Sequence, residues 1–274
     1  MGEKFGSKKS LQKLFEIDGL KEAAAYTKSE ENQKNCKPFK QLNQKYILLY
    51  KQYANAFHEL SKDMESKVCR REYAKGGECI HRGVHSPSRM DLVAGGMNRG
   101  RLLRRQPKEN NYNYEYLFDK QDKLICVYRY DLYGETPKLA GTELFVYKED
   151  VVLSFEFDYT EWCGYSLMCM SECQYENGKL TRYERVLCSF LGVIGKDCTE
   201  INVETFEYAD GLLQALYWYR YMPSIQILDQ HKYTFVRDEE GYLSTYTAEQ
   251  IGGFKPKTEF DLGSIIYKVR PKQK

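Results

Sequence analysis

The sequence predicts an α+β fold in which N-terminal helices precede a large antiparallel β-meander built of repeated hairpins. Three observations carry this expectation. Apolar residues recur at steps of three and four through the first 65 positions. Beyond Asn110 they alternate with period two, and turn residues punctuate the alternating runs at near-regular intervals.

Each element follows in order. Lys8 to about Tyr26 reads as a short helix with Leu11, Leu14, Phe15 and Leu20 near one side, and Ser29 to Asn35 as a polar connection. Phe39, Leu42, Tyr46, Leu49, Tyr53, Phe57, Leu60 and Met64 then form the stripe of one amphipathic helix, with Pro38 in its first turn. Unbroken, it would run about 40 Å at the helical rise. Val68 to Lys108 is rich in glycine and arginine and has little periodicity apart from a short helical stretch near Pro87 to Val93. It reads as an irregular connector. Tyr112, Tyr114, Tyr116 and Phe118 alternate with polar neighbours; Leu124, Cys126, Tyr128 and Tyr130 share one face, as do Leu153, Phe155, Phe157 and Tyr159. Leu216 to Tyr221 and Tyr233 to Val236 are further strands. The turns Asp119–Lys123, Asn177-Gly178, Asp210-Gly211 and Asp238–Gly241 resemble one another, with a weaker copy at Glu149-Asp150. They recur roughly every 30 residues, the range of an internal repeat, and imply roughly ten strands in hairpin order. The organisation is therefore a helical region at 1–66, a basic connector at 67–110 and a sheet region at 111–274, which could form one domain with the helices.

Composition narrows the function. The formal net charge of +2 argues against a protein basic throughout that coats nucleic acid. No apolar run reaches the roughly 18 residues of a membrane helix. The polar Met1–Gly6 stretch has no secretory h-region, so a cytoplasmic location is expected, with the nine cysteines kept as reduced thiols. The 24 tyrosines suit either a half-buried sheet or a binding face.

Chemistry-bearing groups are sparse. Cys79, His81 and His85, with Cys69 as a fourth ligand, have metal-like character, but the spacing from Cys69 to Cys79 lacks the short knuckle of zinc sites. Arg101, Arg104 and Arg105 belong to an arginine-dense run that would suit a polyanion, with Tyr73 or Tyr112 for stacking. The same run could equally lie against the acidic sheet of its own chain. No nucleophile elbow, phosphate loop or His-Glu-x-x-His motif is present. No catalytic residue and no cofactor are assigned, and the expected function is non-enzymatic. Between Val151 and Gly211 acidic residues far outnumber basic ones, and their alternation with apolar neighbours places them on an outward face. Glu156, Asp158, Trp162, Glu204 and Trp218 are the candidate partner-binding residues, combining charge for steering with aromatic anchors.

The stretches Gly100-Arg101-Leu102-Leu103, Tyr112-Asn113-Tyr114-Glu115-Tyr116-Leu117-Phe118-Asp119 and Lys123-Leu124-Ile125-Cys126-Val127 resemble small cytoplasmic bacterial proteins of polymorphic toxin loci, where immunity proteins are common. The Tyr-x-Tyr-x-Phe-Asp turn is also similar to the Tyr-Asp repeats of toxin-delivery shells. This resemblance, over about a quarter of the chain, implies a protein that binds and neutralises a cognate toxin. The charge of the sheet would suit a basic one. The alternative is a nucleic-acid-associated protein using Arg101, Arg104 and Arg105, with zinc at Cys79, His81 and His85.

Overall fold

The computed structural model describes residues 18–78, 100–105, 107, 111–132, 137–162, 164–188, 198–239, 243–254 and 265–268. Among the described residues, three helices come first: α1 (Asp18–Thr27), α2 (Glu30–Tyr53) and α3 (Phe57–Glu65). The start of the helix expected from Lys8, and the helical stretch near Pro87 to Val93, lie outside the described residues.

Helix α2 begins earlier than periodicity indicated. The Ser29 hydroxyl accepts the Asn32 N–H at 3.2 Å, and Glu30 and Glu31 occupy the first turn, where carboxylates favour the positive end of the helix dipole. The polar stretch Ser29–Asn35 is thus a cap and a first turn rather than a connection. Pro38 lies inside α2; it is exposed, and its ring nitrogen has no hydrogen for the Lys34 carbonyl. The apolar stripe is also not one helix. A turn at Ala54–Ala56, with Ala56 N–H donating to Tyr53 O, separates α2 from α3. This bend brings Phe57 down onto Phe157 and Tyr165, contacts that a straight helix passing over the sheet would not make.

Thirteen antiparallel strands follow among the described residues: β1 (Arg70–Lys75), β2 (Arg101–Leu103), β3 (Tyr114–Phe118), β4 (Leu124–Asp131), β5 (Lys138–Lys148), β6 (Val151–Thr160), β7 (Gly164–Glu176), β8 (Lys179–Leu187), β9 (Glu200–Ala209), β10 (Leu212–Met222), β11 (Ile227–Arg237), β12 (Leu243–Gly252) and β13 (Ile265–Lys268). From β3 to β13 each strand pairs with its sequence neighbours, and β1 then β2 close the β3 end. The span 67–110, expected to be irregular, therefore contributes two strands. The reason is length and composition: β2 has three residues, too few to display alternation, and β1 sets two adjacent arginines before adjacent Tyr73 and Ala74, both buried, so it shows no period of two. Two turns match their sequences closely. Asn177 and Gly178 (φ 52° and 74°) and Asp210 and Gly211 (φ 51° and 80°) all have positive φ, the type I′ geometry that sets a tight hairpin with the right twist.

One sheet face receives the helices. Tyr53 stacks on Phe155 with ring centroids 4.2 Å apart, Phe39 packs on Tyr219 and Tyr221, and Tyr46, Ile47 and Met64 join Leu144, Met170, Val186 and Ile201 in the main core. Polar pins fix the layers in register. The buried Asn32 side chain donates to Gln226 O at 2.8 Å, and Asn43 Oδ1 accepts Cys198 N–H at 3.0 Å. Glu172 and Glu184, directly opposite on β7 and β8, both hold Lys45 of α2 (2.6 and 3.1 Å). Glu184 also accepts from Tyr46 Oη at 2.8 Å and from Arg182 at 2.7 Å. The other face carries a second apolar band, with Tyr116, Phe118, Val127, Phe145, Val152 and Tyr183 buried among their neighbours. The seven described cysteines are free, and of these Cys69 alone is exposed. No described helix is long and apolar enough to cross a membrane.

Candidate protein-docking site

Alternation along β6 decides which side chains face which way. Leu153, Phe155 and Phe157 point to the helices, so Ser154, Glu156 and Asp158 lie on the opposite face. The same parity on β9 and β10 puts Ile201, Val203, Tyr219 and Tyr221 toward the helices and Asn202, Glu204 and Trp218 away. Four of the five residues singled out by sequence thus share one face, and Glu204 and Trp218 are cross-strand neighbours. Three strand spacings separate β6 from β9, about 14 Å, so the two pairs are not one cluster.

They are joined by residues that composition did not single out. Arg129 of β4 donates to Glu156 at 2.7 Å and to Asp158 at 2.6 Å, and Arg185 of β8 reaches Glu156 at 3.5 Å. Asn202 pairs across from Arg185 and accepts the Trp218 indole N–H at 3.1 Å. Trp218 in turn lies against His231, its partner on β11. Beside this row Arg220 holds Glu200 at 2.6 Å. The result is a polar row crossing eight strands, from β4 to β11, on the face away from the helices.

This row is not the free acidic face that the charge count implied. Glu156 and Asp158 are half-buried and held by Arg129, and Glu204 is 2% exposed. Of the compensating cations, Arg185 lies inside the counted window, whereas Arg129 and Arg220 flank it in sequence and so escaped the count. Burial pushes the Glu156 carboxyl above its ordinary range, helped by the facing Glu143 and opposed by Arg185 and Arg129. Burial likewise raises Asp229, against the pull of His231 and Arg220. His231 is lowered by burial, against the attraction of Asp229. The charges serve mainly to satisfy one another.

Trp162 is placed differently. It sits in the turn between β6 and β7 and is 94% exposed. The preceding residues run beside a groove of about 820 Å³ lined by Tyr159, Glu161, Tyr165, Asp158, Arg129 and Lys138, among others. Tyr159, itself 43% exposed, packs on Tyr165 with ring centroids 5.1 Å apart, and Tyr165 rests on Phe57. The corner therefore combines a stack of Tyr159, Tyr165 and Phe57 with an open indole next in the turn, and charges of both signs line the groove. Tyr159 and Arg129 are the residues that sequence reasoning passed over. Tyr159 stood out only as the last member of an apolar alternation, and Arg129 is connected to the site through register alone.

The remaining candidates lie elsewhere. Arg101 is on β2, with Arg104 and Arg105 just beyond it, and all three are exposed. Cys79, His81 and His85 fall outside the described residues, among which no group of three or more His, Cys, Asp or Glu is arranged to hold a metal ion. No protein-family model matches the chain, and no characterised protein matches its sequence.

Proposed function

We propose that the protein is a non-enzymatic protein-binding module and, following its sequence resemblance, an immunity-type protein that sequesters a cognate toxin in a bacterial cytoplasm. The observation that best supports docking is the exposure of Trp162 beside the groove at the β6–β7 corner. Tryptophan is strongly enriched among binding hot spots and is seldom left this exposed. Near it, Tyr159, Tyr165 and Phe57 are already packed on one another, so those rings lose little side-chain freedom on binding. Arg129, Asp131, Lys138, Asp158 and Glu161 provide a polar rim. Because Glu156 and Asp158 are already held by arginine, a basic partner is not required; the aromatic anchor is the central element. In this reading the recurring hairpin is the repeat unit that extends the sheet and carries its corners outward.

The test is capture from native lysate with the full chain and with Trp162→Ala as baits, followed by mass spectrometry and affinity measurement. The wild type is expected to retain one stoichiometric protein, and the variant to bind it at least about tenfold more weakly, a loss of about 2 kcal/mol. The thermal midpoint should be unchanged, because the side chain is exposed. Equal retention by both baits would remove the corner from the interface, and retention of no protein would remove the binding reading itself.

A further inference from the structure

At the end of the sheet opposite β13, β2 is paired with β1 alone among the described residues. An antiparallel edge strand leaves the N–H and C=O groups of alternate residues without a ladder partner. Five arginines surround this edge in two different states. Arg70 is bound to Glu72 and Asp122 and lies over the Phe118 ring, and Arg71 is bound to Glu115. Arg101, Arg104 and Arg105 are exposed, with no side-chain hydrogen bond or ion pair among the described residues. Arg104 and Arg105 line a mostly polar depression of about 630 Å³, in which Arg70, Arg71, Glu65 and Glu72 share the walls with Leu102 and Leu103.

We propose that this edge accepts an extended, acidic segment of a protein partner as an added strand. Its backbone would pair with β2, and its carboxylates would meet Arg101, Arg104 and Arg105. The surface is separate from the Trp162 corner and stands or falls without it. Edge arginines deter a second copy of the same strand, because like charges would meet, and the same charge attracts an acidic strand. Single-stranded nucleic acid is the competing polyanion. It binds by stacking bases on accessible aromatic rings, yet the tyrosines beside this edge, Tyr73 and Tyr112, are both buried, their rings edge-on at 4.7 Å.

The experiment is fluorescence anisotropy on the full chain at about 50 mM salt. Three dye-labelled probes are compared: an alternating Glu-Val octapeptide, the same peptide N-methylated at every residue, and an oligothymidylate. The Glu-Val peptide is expected to bind best, and N-methylation to weaken it at least about tenfold by removing the backbone donors. Arg104→Glu with Arg105→Glu should weaken it by a similar factor, and the paired Lys substitutions much less. Circular dichroism on both double variants separates lost binding from lost folding. Failure of the Glu-Val peptide to bind overturns the proposal, as does equal affinity for its N-methylated form. Tighter binding of the oligothymidylate also overturns it and makes the edge a nucleic-acid site.

Discussion

Glu156 and Asp158 illustrate how far a residue's neighbours decide its meaning. As exposed carboxylates they would steer a partner; held by Arg129, they make a charge reversal a test of folding before it is a test of docking. Glu184 is a sharper case at the same scale. Its burial would raise the carboxyl pKa, but Lys45, Arg182 and the Tyr46 hydroxyl outweigh this and hold it below the ordinary range. A depressed carboxylate contributes stability that is present above its unfolded value of about 4.3 and is lost as pH falls through the lower folded value. Glu184→Gln is therefore expected to cost about 2 kcal/mol near neutral pH, with the gap from wild type closing below about pH 4. Urea unfolding at a series of pH values checks this. Glu156 has the opposite sign: its raised carboxyl favours the fold on the acid side, and that contribution fades as pH climbs through its folded value. A gap that stayed constant on acidification would mean the charge of Glu184 is not what stabilises the helix layer.

At the scale of the element, α2 contains a proline that the apolar spacing places in a first turn and the fold places inside the helix. Pro38 is exposed and interior, so it contributes no packing and withholds a hydrogen bond. Pro38→Ala should raise stability by about 1 kcal/mol, the helical gain being partly offset by a more flexible unfolded chain; a fall in the thermal midpoint would contradict this. The same helix shows what was legible. The core residues Phe39, Tyr46, Phe57 and Met64 were readable from their spacing, because burial imposes a period. The Ala54–Ala56 break was not, because its cause is the position of Phe157 and Tyr165, more than a hundred residues away in the chain. Strands with alternation and Asn-Gly or Asp-Gly turns were equally legible. The three-residue β2 was not, since its definition comes from β1. The candidate site divides along the same line: Trp162 is a composition signal, whereas the Arg129–Glu156–Arg185 connection depends on register across five strands, and the β-bulge at Arg129–Tyr130 shifts that register in a way no single strand announces.

For the whole molecule, the meander makes order along the chain nearly identical to order in space. Each strand from β4 onward finds its predecessor already beside it, so sheet growth needs only short loop closures. The helical layer obeys a different rule. Asn32 is fixed by Gln226, 194 positions later, and Lys45 by Glu184, 139 positions later. A chain emerging from the ribosome therefore makes its helices first and their seats last. A nascent chain stalled once β9 has emerged should protect the amides of β4–β7 from hydrogen exchange while the first half of α2 still exchanges freely; protection there should arrive only after the β10–β11 turn is made. Throughout that interval Phe39, with no Tyr219 or Tyr221 yet to pack against, stays open to whatever holdase the cell supplies.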